Sequence, residues 1–119
     1  IDRKREILAN YRQKLANLPK ITMNTEPEGI LNGAWMPTVV FDESTGIKYD
    51  KLQEAFQADN IDARVFFWPL SSMDVFDSTP ENIVACSIHE RAINLPSYHD
   101  MTALDQNRVV KIIKEVATF

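Results

Sequence analysis

Residues 61–70 of the chain are Ile61-Asp62-Ala63-Arg64-Val65-Phe66-Phe67-Trp68-Pro69-Leu70. The run up to Trp68 is rich in β-branched and aromatic side chains, which favour strands, and Pro69 ends it because proline cannot donate to a ladder. We therefore predict a strand over residues 61–68. Asn60 stands just before it, where a helix end often has glycine, because asparagine tolerates the left-handed conformation.

Apolar residues at helical spacing predict four amphipathic helices around this strand. The predicted helices cover residues 2–18 (ended by Pro19), 49–60, 78–91 and a C-terminal segment around 109–116. Ser78-Thr79-Pro80-Glu81 has the hydroxyl, proline and carboxylate typical of a helix start. Thr102-Ala103-Leu104-Asp105 resembles a capping box in which Asp replaces the usual Glu or Gln.

Two further strands are predicted at Ile21–Met23 and Ala34–Phe41. Because Pro37 cannot donate to a ladder, it must lie in an edge strand, at a bulge or in the first part of the longer strand. Residues 42–46 have turn composition, and residues 69–77 show neither period, so we expect an ordered loop there. The order helix, strand, strand, helix, strand, helix, helix predicts a two-layer α+β domain with a small, mainly antiparallel sheet packed with helices.

Length and composition agree with one globular domain. The chain has 119 residues, of which 45% are apolar and 25% charged, and single domains cluster at roughly 100–150 residues. Seventeen acidic residues against thirteen basic ones give a net charge of −4, and no basic run occurs, so we expect no binding to nucleic acid or anionic membranes. Among only three glycines there is no phosphate-binding loop.

The cysteine content indicates the cellular compartment of the protein, and the first residues indicate whether the chain is part of a longer polypeptide. Cys86 is the only cysteine and cannot form an internal disulfide, and no apolar run approaches the roughly 20 residues that span a bilayer. We therefore expect a cytoplasmic protein. The sequence begins at Ile1 without a Met or an apolar signal segment, so we expect a piece excised from a longer polypeptide without a secretory signal.

Candidate catalytic and metal-binding groups are sparse. Cys86 and His89 are three residues apart, which places them on one helical face, but two ligands do not close a zinc site and free cysteine is commonly buried. His99 next to Asp100 fits a surface histidine better than an oriented base, because adjacent loop residues seldom face each other. We predict no catalytic, cofactor-binding or metal-binding residue in this chain.

The aromatic run is the most suggestive segment. Phe66-Phe67-Trp68 could form a stacking platform for a base or a sugar, although composition favours a buried strand from which Trp68 is the first to escape. Arg64 is the only cation between Lys51 and Arg91 and could bind a carboxylate or phosphate, or could be a solvated strand-edge arginine. These residues alone name no function.

Four motifs, in the same order along the chain, carry a family resemblance. Residues 61–70 strongly resemble the "GI-x-TR-P-F-F-x-P-L" stretch in the small domain of DegT/StrS-type nucleotide-sugar aminotransferases. The other three are Arg3-Lys4-Arg5-Glu6-Ile7 followed by Tyr11, similar to the helix leading out of the large domain; Trp35-Met36-Pro37, similar to the "Y-W-M-x" strand; and Ile93-Asn94-Leu95-Pro96-Ser97-Tyr98 followed by Thr102, similar to "LNLPS-x-x-x-x-T". The resemblance covers essentially the whole chain.

The resemblance implies a parent enzyme of the aspartate-aminotransferase fold that uses pyridoxal phosphate (PLP). Such enzymes transfer an amino group, usually from glutamate, to a nucleotide-linked keto sugar, in cell-surface polysaccharide or related amino-sugar biosynthesis. Residues 1–119 would be the C-terminal small domain of a homodimeric parent. The Schiff-base lysine and the aspartate that pairs with the pyridine nitrogen belong to the large domain, so we expect this chain alone to bind no cofactor and to be inactive. The alternative is a free-standing, non-catalytic α+β binding module.

The same resemblance implies a substrate-facing wall. Arg64 and the loop from Phe67 through Ser72 would face the substrate, with Trp68 packed on the sugar and Ser71 or Ser72 hydrogen-bonded to it. Many family members have histidine where Ser71 stands. Asn60 replaces the family's usual glycine and Ala63 its usual threonine, and neither change threatens the fold.

Overall fold

Four helices and four strands make up the fold in the computed structural model, which describes residues 1–118. The helices are α1 (Asp2–Leu15), α2 (Tyr49–Ala58), α3 (Ile83–Ile88) and α4 (Ala103–Val116). The strands are β1 (Ile21–Met23), β2 (Thr38–Phe41), β3 (Arg64–Val65) and β4 (Ala92–Asn94). Within residues 1–118, none of the helices has the length and apolar character needed to cross a membrane.

The strands form one antiparallel sheet in the order β1-β2-β4-β3. The central pairing places Val39 of β2 opposite Ile93 of β4, and β4 in turn pairs Asn94 with Arg64 of β3. Because side chains alternate between the two faces of a strand, Val39, Phe41 and Ile93 share one face of the sheet. The strand that comes last in the chain is therefore an interior one.

Helices α1, α2 and α4 cover that face and close a single core. Tyr11 of α1, Phe56 of α2 and Ile113 of α4 are each fully buried, together with Val39 and Ile93 of the sheet. Burial of side chains of this size stabilises a fold by about 1.5–3 kcal/mol each. The predicted α+β class, with a small antiparallel sheet packed with helices, is confirmed.

Local signals that rest on backbone chemistry are confirmed. The Thr102 hydroxyl accepts from the amide of Asp105 (3.1 Å), and the Asp105 carboxylate accepts from the amide of Thr102 (3.0 Å), which is the predicted capping box. Asn60 adopts the expected left-handed conformation, with φ of 56°. Strand β2 begins directly after Pro37, so the proline removes no bond from the ladder.

Several predicted boundaries are wrong. Strand β3 is limited to Arg64–Val65 rather than residues 61–68, because its partner β4 has only three residues and pairs with just two of β3. Strand β2 starts at Thr38 rather than Ala34, whose φ of 53° is incompatible with an extended strand. Helix α1 ends at Leu15 instead of residue 18, in a turn in which the amide of Leu18 donates to the carbonyl of Leu15.

The third helix and the strand after it are the largest differences. Helix α3 covers Ile83–Ile88, not residues 78–91. Turns flank it on both sides: the amide of Asn82 donates to the carbonyl of Thr79 (3.1 Å), and the amide of Arg91 donates to the carbonyl of Ile88 (3.1 Å). Strand β4, which follows it, was not predicted. All three of its residues are buried, so it shows no alternation of apolar and polar side chains.

Candidate functional site

The aromatic run leaves the sheet where β3 ends. Phe66 is half-buried, whereas Phe67 and Trp68 are 55% and 60% exposed, so the expectation of a buried strand is wrong for both. Pro69 is buried and anchors the run at its far end. The short pairing of β3 therefore delivers two large aromatic side chains to the surface.

Each exposed aromatic ring packs against one other ring from a distant part of the chain. Phe67 stacks on Trp35, with ring centroids 6.2 Å apart and planes inclined by 22°. Trp68 packs against the imidazole of His89, with centroids 4.6 Å apart and planes inclined by 40°. Stacked and tilted aromatic pairs contribute about 0.5–1.5 kcal/mol beyond their burial. The rings are thus held in defined positions while one side of each stays accessible.

Phe67 and Trp68 form one wall of a groove, which we call the aromatic groove. The opposite wall is the apolar side of α3 and the residues before it, and the enclosed volume is about 650 Å³. Ile83 and Val84 of that wall are 70% and 64% exposed. In the loop that joins the two walls, Leu70 and Val75 are 67% and 80% exposed. Six exposed apolar side chains thus lie on the two walls and on the loop between them, and clusters of this kind mark binding sites or interfaces.

Arg64 lies on a different cavity, which we call the polar cleft. This cleft has a volume of about 440 Å³, and the side chains that border it include Lys4, Trp35, Arg64, Tyr98 and Arg108. Arg64 points away from the core, is 74% exposed, and pairs with the carboxylate of Asp62 (3.0 Å). An exposed pair of this kind contributes little to stability, so Arg64 is available to an anionic ligand.

The remaining polar groups of the cleft are largely occupied by each other. Lys4 donates to the carbonyl of Ser97, and Arg108 donates to the carbonyl of Asp59 (2.9 Å). The hydroxyl of Tyr98 donates to the carboxylate of Asp105 (3.0 Å). That bond raises the pKa of Tyr98, while the amide of Thr102 lowers the pKa of Asp105. The cleft is therefore organised as a charged surface at neutral pH.

Ser71 and Ser72 lie in a short 3₁₀ turn, Leu70–Ser72, and border neither the polar cleft nor the aromatic groove. The Ser72 hydroxyl donates to the carbonyl of Pro69 (2.6 Å), which leaves its oxygen free to accept a hydrogen bond from a ligand. The structure thus brings Phe67 and Trp68 together, places Arg64 on a neighbouring cavity, and positions both serines one turn beyond.

Trp35, Tyr98 and His89 are the residues that sequence reasoning did not assign to the site. The first two belong to motifs that were noticed in the sequence, but no local pattern shows that Trp35 meets Phe67 across 32 positions of chain. His89 was weighed only as a partner of Cys86. Cys86 is a free, half-buried thiol, and residues 1–118 contain no group of three or more His, Cys, Asp or Glu side chains placed to hold a metal ion.

Comparison with known proteins extends over nearly the whole chain. GDP-perosamine synthase of Vibrio cholerae is 29% identical over 101 residues, which cover 82% of this chain and 27% of that protein. EpsN of Bacillus subtilis (strain 168), assigned as a pyridoxal phosphate-dependent aminotransferase, is 27% identical over 119 residues, covering 95% of this chain and 30% of EpsN. The chain thus spans less than a third of the length of these relatives.

Solved structures agree in fold. The crystal structure of DesI with its TDP-sugar product superposes with a TM-score of 0.81 at 26% identity, covering 98% of this chain and 31% of DesI. Residues 1–114 match the DegT/DnrJ/EryC1/StrS aminotransferase family. The resemblance predicted from the four motifs is confirmed: the chain belongs to the DegT/DnrJ/EryC1/StrS aminotransferase family.

Proposed function

We propose that this chain is the C-terminal small domain of a PLP-dependent enzyme that transfers an amino group from glutamate to a nucleotide-linked keto sugar. The observation that carries the proposal is the family match over residues 1–114, combined with a chain that spans 27–30% of its relatives. GDP-perosamine synthase and DesI, which was crystallised with a TDP-sugar, support a nucleotide sugar as the substrate class. Such an enzyme would serve cell-surface polysaccharide or related amino-sugar biosynthesis in the cytoplasm.

The residues described here do not form a PLP site by themselves. A Schiff-base lysine works from a desolvated pocket, and none of the lysines within residues 1–118 is buried. Lys4 and Lys48 are instead engaged with Ser97 and Glu90. PLP supplies an electron sink for amino-group transfer, and we place its lysine in the rest of the parent protein. In this proposal the isolated chain neither binds PLP nor transaminates.

The chain contributes one wall of the substrate site. Trp68 and Phe67 offer flat apolar faces suited to the CH-rich face of a sugar, and Arg64 offers a guanidinium to a diphosphate. Ser71 and Ser72 supply hydroxyls to the sugar from the adjacent turn. The exposure of both aromatic side chains supports this role. Arg64 also remains accessible to a ligand, because its ion pair is with one exposed carboxylate, that of Asp62.

The aromatic groove also supports the domain assignment. Ile83 and Val84, on the α3 wall opposite Phe67 and Trp68, would be covered by the remaining two thirds of the parent protein. The family's homodimer would form mainly through that remaining part. Each Å² of apolar surface that such a contact removes from water stabilises it by about 25 cal/mol, so this surface would favour docking.

The test starts from the coding sequence upstream of Ile1. We expect an open frame that encodes a cofactor-binding domain with a Schiff-base lysine, and full-length protein that shows PLP absorbance and forms 2-oxoglutarate from glutamate with GDP- or TDP-linked keto hexoses. Trp68→Ala should raise the sugar KM about fivefold or more, since an aromatic contact contributes about 1 kcal/mol or more. Leu104→Ala is a matched control on the exposed side of α4.

Two results would contradict the proposal. A start codon close upstream of Ile1 would favour the alternative, a free-standing binding module without catalysis. Transamination by the 119-residue chain alone would show that the cofactor site has been misplaced.

A further inference from the structure

His89 follows α3 directly, and its side chain has an unusual environment. Its Nδ1 is buried and has no hydrogen-bond partner within residues 1–118. A buried nitrogen without a partner destabilises a fold, and an apolar side chain would avoid that cost. The contact that the ring does make is with the indole of Trp68, at 4.6 Å between centroids. The ring contact, rather than a hydrogen bond, therefore accounts for the placement of this side chain.

Trp68 stands between two cavities. On one side is the aromatic groove, and on the other is a cavity of about 390 Å³ lined by Lys48, Asp50, Val65 and His89, among others. With 60% of its surface exposed, the indole has little protein packed around it. Its two side-chain torsions are free to rotate unless a neighbour restrains them. His89 lines this second cavity beside Trp68 and contacts the indole there.

We propose that His89 is a positioning residue that holds the Trp68 indole in one orientation, so that the face turned to the aromatic groove is ready to stack on a sugar. The inference rests on the proposed function for the identity of the ligand, but the contact itself does not. Prior ordering of a side chain lowers the entropic cost of binding. Loss of the imidazole would leave Trp68 chemically intact and conformationally free.

The contact can be tested on this chain by spectroscopy. Trp35→Phe keeps an aromatic ring against Phe67 and leaves Trp68 as the sole tryptophan, because the chain has only two. In that background, His89→Ala should weaken the near-ultraviolet circular dichroism of Trp68 and raise its acrylamide quenching. An aromatic contact shifts a rotamer equilibrium about two- to tenfold. His89→Phe should restore both signals, and His99→Ala, at the other and exposed histidine, should change neither.

The ligand role is tested in the full-length enzyme with the keto sugar that it turns over in the assay above. His89→Ala should raise the sugar KM about two- to tenfold without changing the glutamate KM, and His89→Phe should restore it. Far-ultraviolet circular dichroism checks that each variant is folded. Unchanged Trp68 spectra in His89→Ala would overturn the positioning role, whatever the activity. Altered spectra with an unchanged sugar KM would instead overturn the assignment of Trp68 to the substrate wall, which belongs to the proposed function.

Discussion

Asn94 ties the interior strand β4 to both of its neighbours through its side chain. Its Oδ1 accepts from the hydroxyl of Thr38 on β2 (2.8 Å), and its amide donates to the carbonyl of Val65 on β3 (3.2 Å). Asn94 is only 4% exposed and Thr38 only 7%, so water cannot readily replace either partner. Asn94→Ala removes both hydrogen bonds in one change.

The expected loss follows from these two contacts. Each hydrogen bond contributes about 1 kcal/mol, and a buried group left without a partner costs about 1–3 kcal/mol. The Thr38 hydroxyl can turn to the carbonyl of Met36 (3.3 Å), whereas Val65 loses its side-chain donor outright. We therefore expect Asn94→Ala to lower the free energy of unfolding by about 3 kcal/mol, a large part of the roughly 5–15 kcal/mol typical of a domain.

Urea denaturation measures this loss. With a slope of about 1–3 kcal/mol per M, a loss of about 3 kcal/mol should lower the urea midpoint by roughly 1–3 M. Asn107→Ala, at an exposed position on α4 where the side chain accepts a hydrogen bond from Lys14 at the surface, is the matched control and should change stability by no more than about 0.5 kcal/mol. Amide exchange at Arg64 should accelerate in Asn94→Ala because β3 is paired over two residues only. A loss below about 1 kcal/mol with unchanged exchange would refute the role of the side chain.

Three further changes test the helix cap and two ionisable groups. Thr102→Ala should lower stability by about 1 kcal/mol and Thr102→Ser should restore it; an unchanged thermal melt would contradict the capping role. A hydrogen bond from Arg5 lowers the pKa of Glu26, so this pair stabilises the fold above about pH 4 and its contribution is lost as pH falls through the lowered pKa. As pH is lowered, the urea midpoint of Glu26→Gln should therefore fall less steeply than that of the unchanged chain. Equal slopes of midpoint against pH in the two proteins would contradict a stabilising role of the Arg5–Glu26 pair. The Tyr11 hydroxyl donates to the carbonyl of Pro96 (2.8 Å), and burial raises its pKa, so stability is lost as pH rises beyond about 10. Tyr11→Phe should cost about 1 kcal/mol at neutral pH and remove that alkaline loss, and an identical alkaline profile would contradict the assignment.

Prediction from sequence succeeded where the signal is local and repeated. Helices α1, α2 and α4 have apolar residues at helical spacing and were found to within a few residues, and the Thr102 cap and the turn at Asn60 follow from side-chain and backbone chemistry at single positions. Strand β4 was missed because its three buried residues show no alternation of apolar and polar side chains. It is nevertheless the interior strand that joins β2 to β3. Because β3 can extend only as far as it pairs with β4, missing β4 also led to the overestimate of the length of β3.

The candidate site was predicted only in part for a related reason. A buried strand was favoured, with Trp68 the first residue to leave it, but both Phe67 and Trp68 are exposed. Its contact with His89 and the contact of Phe67 with Trp35 join segments that are far apart in sequence. Pairings of this kind depend on how the sheet positions the loops, and no local pattern of residues encodes them. The substrate roles of Arg64, Ser71 and Ser72 stay predictions.

The position of β4 in the sheet has a consequence for biosynthesis. Val39 and its partner Ile93 are 54 positions apart, so at roughly 5–20 residues per second the ribosome makes β2 several seconds before the strand that completes its hydrogen bonds. During that interval the hairpin of β1 and β2 presents an unpaired edge and the apolar side chains of Val39 and Phe41 to solvent. The nascent chain is therefore most prone to misassociation before residues 92–94 have emerged from the ribosome. Chaperones that bind extended apolar segments would act on it during that interval.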